Sequence, residues 1–234
     1  MIDGESILAV IPARGGSKRL PNKNILDLAE KPLIAWSIEA GLNSKYIDTV
    51  VVSSDSDEIL DISKNIGTDI IKRPDELASD TATSFDAIKH TIKNTIETFD
   101  YVILLQPTSP LRNNSHIDEA FELLIKTNAA AIISVVEMDH SPLWSNTLPK
   151  DMSMVNFLKN EVLYKRSQDL VKYYRLNGAI YICKSEKLLD EKSFFLKENI
   201  YAYKMDRESS IDIDNGFDFS IAEFLISRKK LGES

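Results

Sequence analysis

Between residues 8 and 136, short apolar runs alternate with stretches whose apolar residues recur every three or four positions. Leu8–Ile11 and Thr49–Val52 read as buried strands, because they are β-branched or apolar throughout and show no polar face. Pro32 suits a first helical position ahead of Leu33, Ile34, Trp36 and Ile38. The pattern predicts a helix over 56–66, with Ser56 as cap, Asp57 and Glu58 in its first turn and Gly67 closing it. A short strand over 69–71, a helix over 84–98 and a strand over 101–105 follow. Next come a helix over 115–127, opened by a Ser-x-x-Asp pattern, and a strand over 130–136. Repeated β-α-β of this kind predicts an α/β protein with a mostly parallel central sheet and helices on both faces, three layers in all. Ligands of such sheets collect beyond the carboxyl ends of the strands.

Between about 138 and 175 the alternation stops, and His140, Pro142, Trp144 and Pro149 sit among mixed polar residues with no period. An irregular stretch this long is usually functional or packed against a partner. Strands over 177–183 and 200–205 resume the pattern, and an amphipathic helix over 217–228 closes it, with Phe217, Ile221, Phe224 and Leu225 on its apolar side. No internal repeat or low-complexity tract interrupts the chain, so residues 1–234 read as one domain.

At 234 residues and 43% hydrophobic, the chain is long enough for one well-buried α/β core. A formal net charge of −8 disfavours nucleic acid and anionic membranes as partners and leaves anion binding to local sites. The single Cys183 provides neither a disulfide framework nor a cysteine metal cage. The start M-I-D-G-E-S has no apolar signal region, so the expected location is the cytoplasm. His90, His116 and His140 have no metal-ligand spacing; the first two read as structural and the third as a contact of the irregular segment.

Against that acidic background, I-P-A-R-G-G-S-K-R-L-P-N-K-N over 11–24 packs Arg14, Lys18, Arg19 and Lys23 around Gly15-Gly16 at the end of a strand. Glycines at positive φ would let backbone N–H groups face a phosphate while the cations neutralise it. The spacing is not that of a Walker P-loop. Asp212 and Asp214, at i and i+2 of an extended segment, would project to one side and converge on one Mg²⁺ shared with phosphate oxygens. Solvated acids ahead of a helix N-terminus are the plainer reading of that pair.

The basic loop resembles the signature of the acylneuraminate cytidylyltransferases, which activate sialic and related nonulosonic acids as CMP-sugars for surface polysaccharides. Four further blocks resemble that family in family order: R-P-D-E-L-A-S-D-T-A-T-S over 73–84, L-L-Q-P-T-S-P-L-R over 104–112, R-L-N-G-A-I-Y over 175–181 and S-I-D-I-D over 210–214. The resemblance implies a Rossmann-like nucleotidyltransferase with a dimerisation extension at about 138–175, acting as a homodimer on CTP and a nonulosonic acid with Mg²⁺. It implies that Arg14, Lys18, Lys23 and Asn24 line the triphosphate site, with Arg14 and Lys23 also catalytic. It places Arg73, Ala82 and Ser84 beside cytosine and ribose, and makes Asp212 and Asp214 the catalytic metal ligands. Gln106, Arg166, Arg175 and Tyr181 would meet the sugar acid, and Phe194 and Phe195 would wall its N-acyl group from the neighbouring subunit. Arg19 matches no family role, and Trp144 stands where close sialate-activating relatives would carry a lysine.

The implied reaction is transfer of a cytidylyl group from CTP to the anomeric hydroxyl of N-acetylneuraminic acid or a relative such as legionaminic acid, with release of pyrophosphate. A 3-deoxy-manno-octulosonate cytidylyltransferase shares the loop style, although the Gln106 and Asn177 blocks look more like the sialate branch. A metal-dependent glycosyltransferase would carry its Asp-x-Asp after a central strand, and a non-catalytic nucleotide-binding module would need no acid pair. The residues do not identify the sugar.

Overall fold

The computed structural model describes residues 4–79 and 81–231. Its centre is a seven-stranded sheet. In chain order the strands are β1 (Ile7–Pro12), β4 (Thr49–Ser54), β5 (Asp69–Lys72), β6 (Tyr101–Leu104), β7 (Ala131–Glu137), β8 (Tyr174–Lys184) and β9 (Ile200–Met205). A two-stranded ribbon of β2 (Asp27–Leu28) and β3 (Lys31–Pro32) branches off after β1. Across the sheet the order is β5-β4-β1-β6-β8-β7-β9, and β8 alone runs against its neighbours. The sheet is therefore mostly parallel, as the alternating pattern implied.

Alternation along each strand sorts the core onto two faces. Ile7, Ala9 and Ile11 join Ile34 and Ile38 of α1 (Leu33–Leu42), Ile59 of α2 (Asp57–Ile66) and Phe121 of α4 (Asn114–Thr127) in one apolar cluster. Leu8 and Val10 face the other way, toward Ile88 of α3 (Ser84–Asn94) and Leu188 of α5 (Ser185–Glu191). Because both faces are covered, the central strands read as continuous apolar runs. A third cluster holds α6 (Gly216–Lys230) against the ribbon and α1, through Ala222, Ile226, Leu28 and Leu33.

Several predicted elements shift. Pro32 caps α1 rather than opening it, and α3 ends at Asn94, four residues short of the predicted end at 98. The Ser-x-x-Asp start of α4 is not a cap: Asn113 is, and Asp118 instead accepts from Ser44 Oγ at 2.7 Å. On α6, Phe217 and Phe224 are exposed while Ala222 and Ile226 are buried. Spacing identified a helix there, but the small residue at 222 lets the helix approach the ribbon, so it defines the packed face. The helix α5 has too short an apolar period to be read from sequence.

Residues 139–173 contain only short 3₁₀ turns, and the segment leaves and returns at one place, where Met138 N–H donates to Tyr173 C=O at 2.9 Å. Met152, Met154, Val155, Tyr164 and Val171 on it are exposed, with Val162 buried. Trp144 is half-buried in the Pro142–Trp144 turn. No described helix is long and apolar enough to cross a membrane.

The α4 cap carries a proton-dependent bond. Asn113 N–H donates to His116 Nδ1 at 3.2 Å while His116 N–H donates to Asn113 Oδ1 at 3.1 Å, so that ring nitrogen must be unprotonated. Burial lowers the His116 pKa; Asp206, 3.8 Å from Nε2, and Glu119 oppose this, and Lys229 and Arg112 add to it. A depressed folded pKa gives stability that is present above the unfolded histidine pKa of about 6.5 and lost as pH falls through the folded value. His116→Gln keeps an acceptor for the cap and has no such proton. In urea unfolding, the stability advantage of wild type over this variant should shrink between pH 7 and pH 5; a constant difference would refute the neutral-imidazole cap.

Candidate active site

The carboxyl ends of β1, β5 and β6 open onto a cavity of about 510 Å³. Arg14, Lys18, Arg19 and Lys23 line one side, Arg73, Ala82 and Ser84 another, and Gln106, Thr108 and Asp214 close it. Asn24 lines it as well, so all the nucleotide residues named from sequence meet in one place, together with Asp214 from two hundred positions beyond Arg14.

The basic loop takes its shape from bonds to the sheet. Ala13 N–H donates to Ser53 C=O at 3.0 Å, extending the β1–β4 pairing, and Asn24 Nδ2 donates to Arg14 C=O at 3.0 Å from a buried position. Asn22, at φ 54, makes the left-handed turn that starts the Lys23–Ile25 3₁₀ turn. Gly15 and Gly16 are absent from the positive-φ residues, and the Gly15 N–H donates to Asp55 Oδ1 at 3.0 Å. The glycine role expected from sequence is therefore corrected. A Cβ on Gly15 would lie 3.1 Å from Ser56 Cβ, so glycine serves close packing against the β4–α2 turn.

Arg73 follows β5 and is held by its own N–H, which donates to Ser54 C=O at 2.7 Å. Its guanidinium is only 5% exposed, and burial lowers its pKa from the ordinary arginine value. Thr83 and Asp86 form a capping box that starts α3 and sets Ala82 and Ser84 at the cavity rim. Asp80 of the same block lies outside the described residues, as do residues 1–3 of the chain start.

Gln106 is positioned from below. The guanidinium of Arg112, 1% exposed and brought to a pKa of about 9 by burial, donates from Nη2 to Ser37 Oγ at 2.8 Å. Ser37 in turn donates to Gln106 C=O at 3.1 Å. On the opposite side Gly178, at φ 77, leaves room for the Gln106 amide: a Cβ there would lie 3.0 Å from Oε1.

The acid pair lies across the cavity from Arg73. Ile213 N–H donates to Thr108 C=O at 2.8 Å and its side chain is fully buried, while Asp212 and Asp214 on either side are exposed. Alternation of this kind puts both carboxylates on one side of the segment. Asp214 accepts from Arg19 Nη1 at 2.7 Å and lies 4.0 Å from Lys23 Nζ, which also donates to Ile213 C=O. Partial burial lowers the Lys23 pKa against the pull of Asp214 and Asp212. For Asp212, partial enclosure raises the pKa and Asp214 adds to this, against a hydrogen bond from the Thr108 side chain. Two facing carboxylates beside a cavity rich in cations suit Mg²⁺, which takes one or two carboxylates together with phosphate oxygens. Among the described residues no group of three or more His, Cys, Asp or Glu gathers as an all-protein metal cage.

The sugar residues named from sequence are not brought to the cavity within one chain, Gln106 excepted. Arg166 is exposed and pairs with Asp169 at 3.1 Å, and Arg175 is exposed at the start of β8. Tyr181 packs its ring 5.7 Å from Phe194 and 6.4 Å from Phe195. Phe194 is buried in the chain's own core cluster, whereas Phe195 is 54% exposed. The expectation that both form a wall for another subunit's sugar is thus narrowed to Phe195, because Phe194 is already enclosed. Sequence reading assigned nothing to Arg19, Thr108, Asp55 or Ser37; of these only Arg19 carried a visible signal, as a cation in the basic run.

A doubly covered, mostly parallel sheet with a cation-lined cavity at its carboxyl edge defines a nucleotide-binding α/β protein. The chain belongs to the cytidylyltransferase family, whose family model matches residues 8–226. It is 39% identical over 96% of its length to an N-acylneuraminate cytidylyltransferase of Escherichia coli, and covers 52% of that protein. The chain thus spans about half the length of the first curated relatives it matches. It is 38% identical to a CMP-N,N'-diacetyllegionaminic acid synthase of Legionella pneumophila, covering 94% of this chain and 96% of that one. A pseudaminic acid cytidylyltransferase of Campylobacter jejuni is 34% identical, with 93% and 95% covered. In fold, the chain is similar to CMP:2-keto-3-deoxy-manno-octonic acid synthetase solved with CTP, at a TM-score of 0.73 and 17% identity over 96% of this chain and 99% of that one.

Proposed function

We propose that this chain transfers a cytidylyl group from CTP to the anomeric hydroxyl of a nonulosonic acid. The observation that carries this reading is the joining, in one cavity, of the basic loop, the Arg73 block and Asp214 of the acid pair. The named activities of relatives at 34–39% identity support it. The sugar oxygen forms a bond to the α-phosphorus, the bond from that phosphorus to pyrophosphate breaks, and the hydroxyl proton leaves to solvent. Arg14, Lys18 and Lys23 hold the phosphates and meet the charge that develops on them, each well-placed donor contributing about 3–4 kcal/mol in the transition state. Mg²⁺ held by Asp212 and Asp214 would supply further charge neutralisation. Arg73, Ala82 and Ser84 read the nucleoside, and Gln106 reads the sugar acid. The octulosonate alternative has less support, since similarity to that synthetase at 17% identity extends to fold alone.

The same reading includes a homodimer. Exposed Met152, Met154, Val155, Tyr164 and Val171 on the irregular extension, with Phe195 nearby in sequence to β9, supply apolar surface for a second copy. Arg166 and Arg175 lie away from their own cavity, so a partner's cavity is the site open to them. Light scattering at assay concentration should give twice the chain mass; an active monomer would defeat this part.

Nucleotide choice is the first test of the chemistry. In a pyrophosphate-release assay, CTP should exceed UTP and ATP at least tenfold in kcat/KM, a gap of about 1.4 kcal/mol. Running N-acetylneuraminic, legionaminic and pseudaminic acids in parallel identifies the sugar, and equal use of all three nucleotides would sink the assignment.

The acid pair gives a second test. Asp212→Asn or Asp214→Asn should lower kcat by orders of magnitude in Mg²⁺. Both side chains are exposed and contribute little packing, so in metal-free buffer at pH 7 either variant should melt close to wild type. Full activity in either variant would return the pair to solvated acids ahead of α6.

A further inference from the structure

Asp55 belongs to neither the basic loop nor the Arg73 block, yet it bonds to the first and faces the second as an ion pair. It sits one residue beyond β4, where the strand has delivered it to the same edge of the sheet as the cavity. Its Oδ1 accepts the Gly15 N–H at 3.0 Å, and Arg73 Nη2 lies 3.9 Å from that same oxygen. Arg73 is almost fully buried and its Nε has no hydrogen-bond partner. A guanidinium in that position stays protonated, and with Arg14 nearby its buried charge is costly unless an anion faces it. Among the described residues Asp55 is the carboxylate paired with it. Glycine at 15 is what permits this arrangement, since a Cβ there would crowd Ser56 Cβ at 3.1 Å and stand 3.6 Å from Asp55 Oδ2.

We infer that Asp55 is a positioning residue that ties the phosphate-holding loop to the base-reading loop and fixes the direction of the Arg73 guanidinium without touching substrate. One oxygen faces both loops, so the base-reading group and the loop whose side chains hold the phosphates keep a set separation. That separation decides whether a nucleotide's base and phosphates are engaged together. The inference rests on the cytidylyltransferase reading of the cavity.

Two substitutions separate the two contacts. Asp55→Asn keeps a carbonyl oxygen for the Gly15 N–H and removes the charge that faces Arg73. Asp55→Ala removes both. Binding of CTP, UTP and inorganic pyrophosphate to the full chain is measured by calorimetry, with circular dichroism melts on every variant. Asp55→Asn should weaken CTP at least tenfold and narrow the CTP-to-UTP ratio, while pyrophosphate, which meets only the basic loop, stays within twofold of wild type. Asp55→Ala should weaken pyrophosphate as well; if it does not fold, the asparagine variant carries the test alone. Unchanged CTP affinity and base preference in Asp55→Asn would overturn the inference. So would an equal loss for all three ligands, which would mark Asp55 as a general support of the loop. Failure of wild type to bind CTP would remove the reading of the cavity itself, and this inference with it.

Discussion

Crowding of like charge is the constraint that organises this molecule. Arg14, Lys18, Arg19, Lys23 and Arg73 share one cavity wall system in a chain of net charge −8. Cations at such spacing repel one another by energies that grow as water is excluded. The fold answers with specific acceptors. Asp214 takes Arg19 and stands near Lys23, the Ile213 carbonyl takes the Lys23 ammonium, and Asp55 faces Arg73. Ile213 and Asp214 come from one segment and Asp55 from another, so charge balance at the cavity also ties the C-terminal third of the chain to the first strand.

Buried polar groups carry that order from the sheet to the cavity. The Arg112–Ser37–Gln106 chain of hydrogen bonds crosses from α1 to the turn after β6. Beneath the acid pair, Asn177 is 2% exposed; its Oδ1 accepts from Ser134 Oγ at 2.6 Å and from Ala179 N–H at 3.2 Å, and its Nδ2 donates to Ser210 Oγ at 3.0 Å. A buried amide satisfied on both ends is costly to rearrange, because any alternative packing leaves a donor or acceptor dry. The segment that carries Asp212 is therefore anchored two residues earlier to strands β7 and β8. Cavity walls built from loops acquire in this way the rigidity of the sheet.

Much of this was legible along the chain. Period-two and period-three-to-four patterning located the parallel strands and most helices, because burial on both faces leaves a local imprint in each segment. The basic run and the Asp-x-Asp pair were visible because their chemistry is dense in sequence. The α6 face, the α4 cap and the separation of Phe194 from Phe195 were not, since each depends on which surface a residue meets. Asn113 and Ser115 are both plausible caps by composition, and only the entry path of the chain chose between them.

Sequence alone determined the α/β class, the order of the strands along the chain and the identity of the charged groups. Those properties follow from local apolar spacing and from residue type. The tertiary structure decided that Gly15 packs rather than cradles, that Asp55 joins two loops and that Arg112 supports Gln106 from the interior. These are contacts between residues tens of positions apart, set by strand order and close approach, and they leave no periodic trace in either partner's own segment.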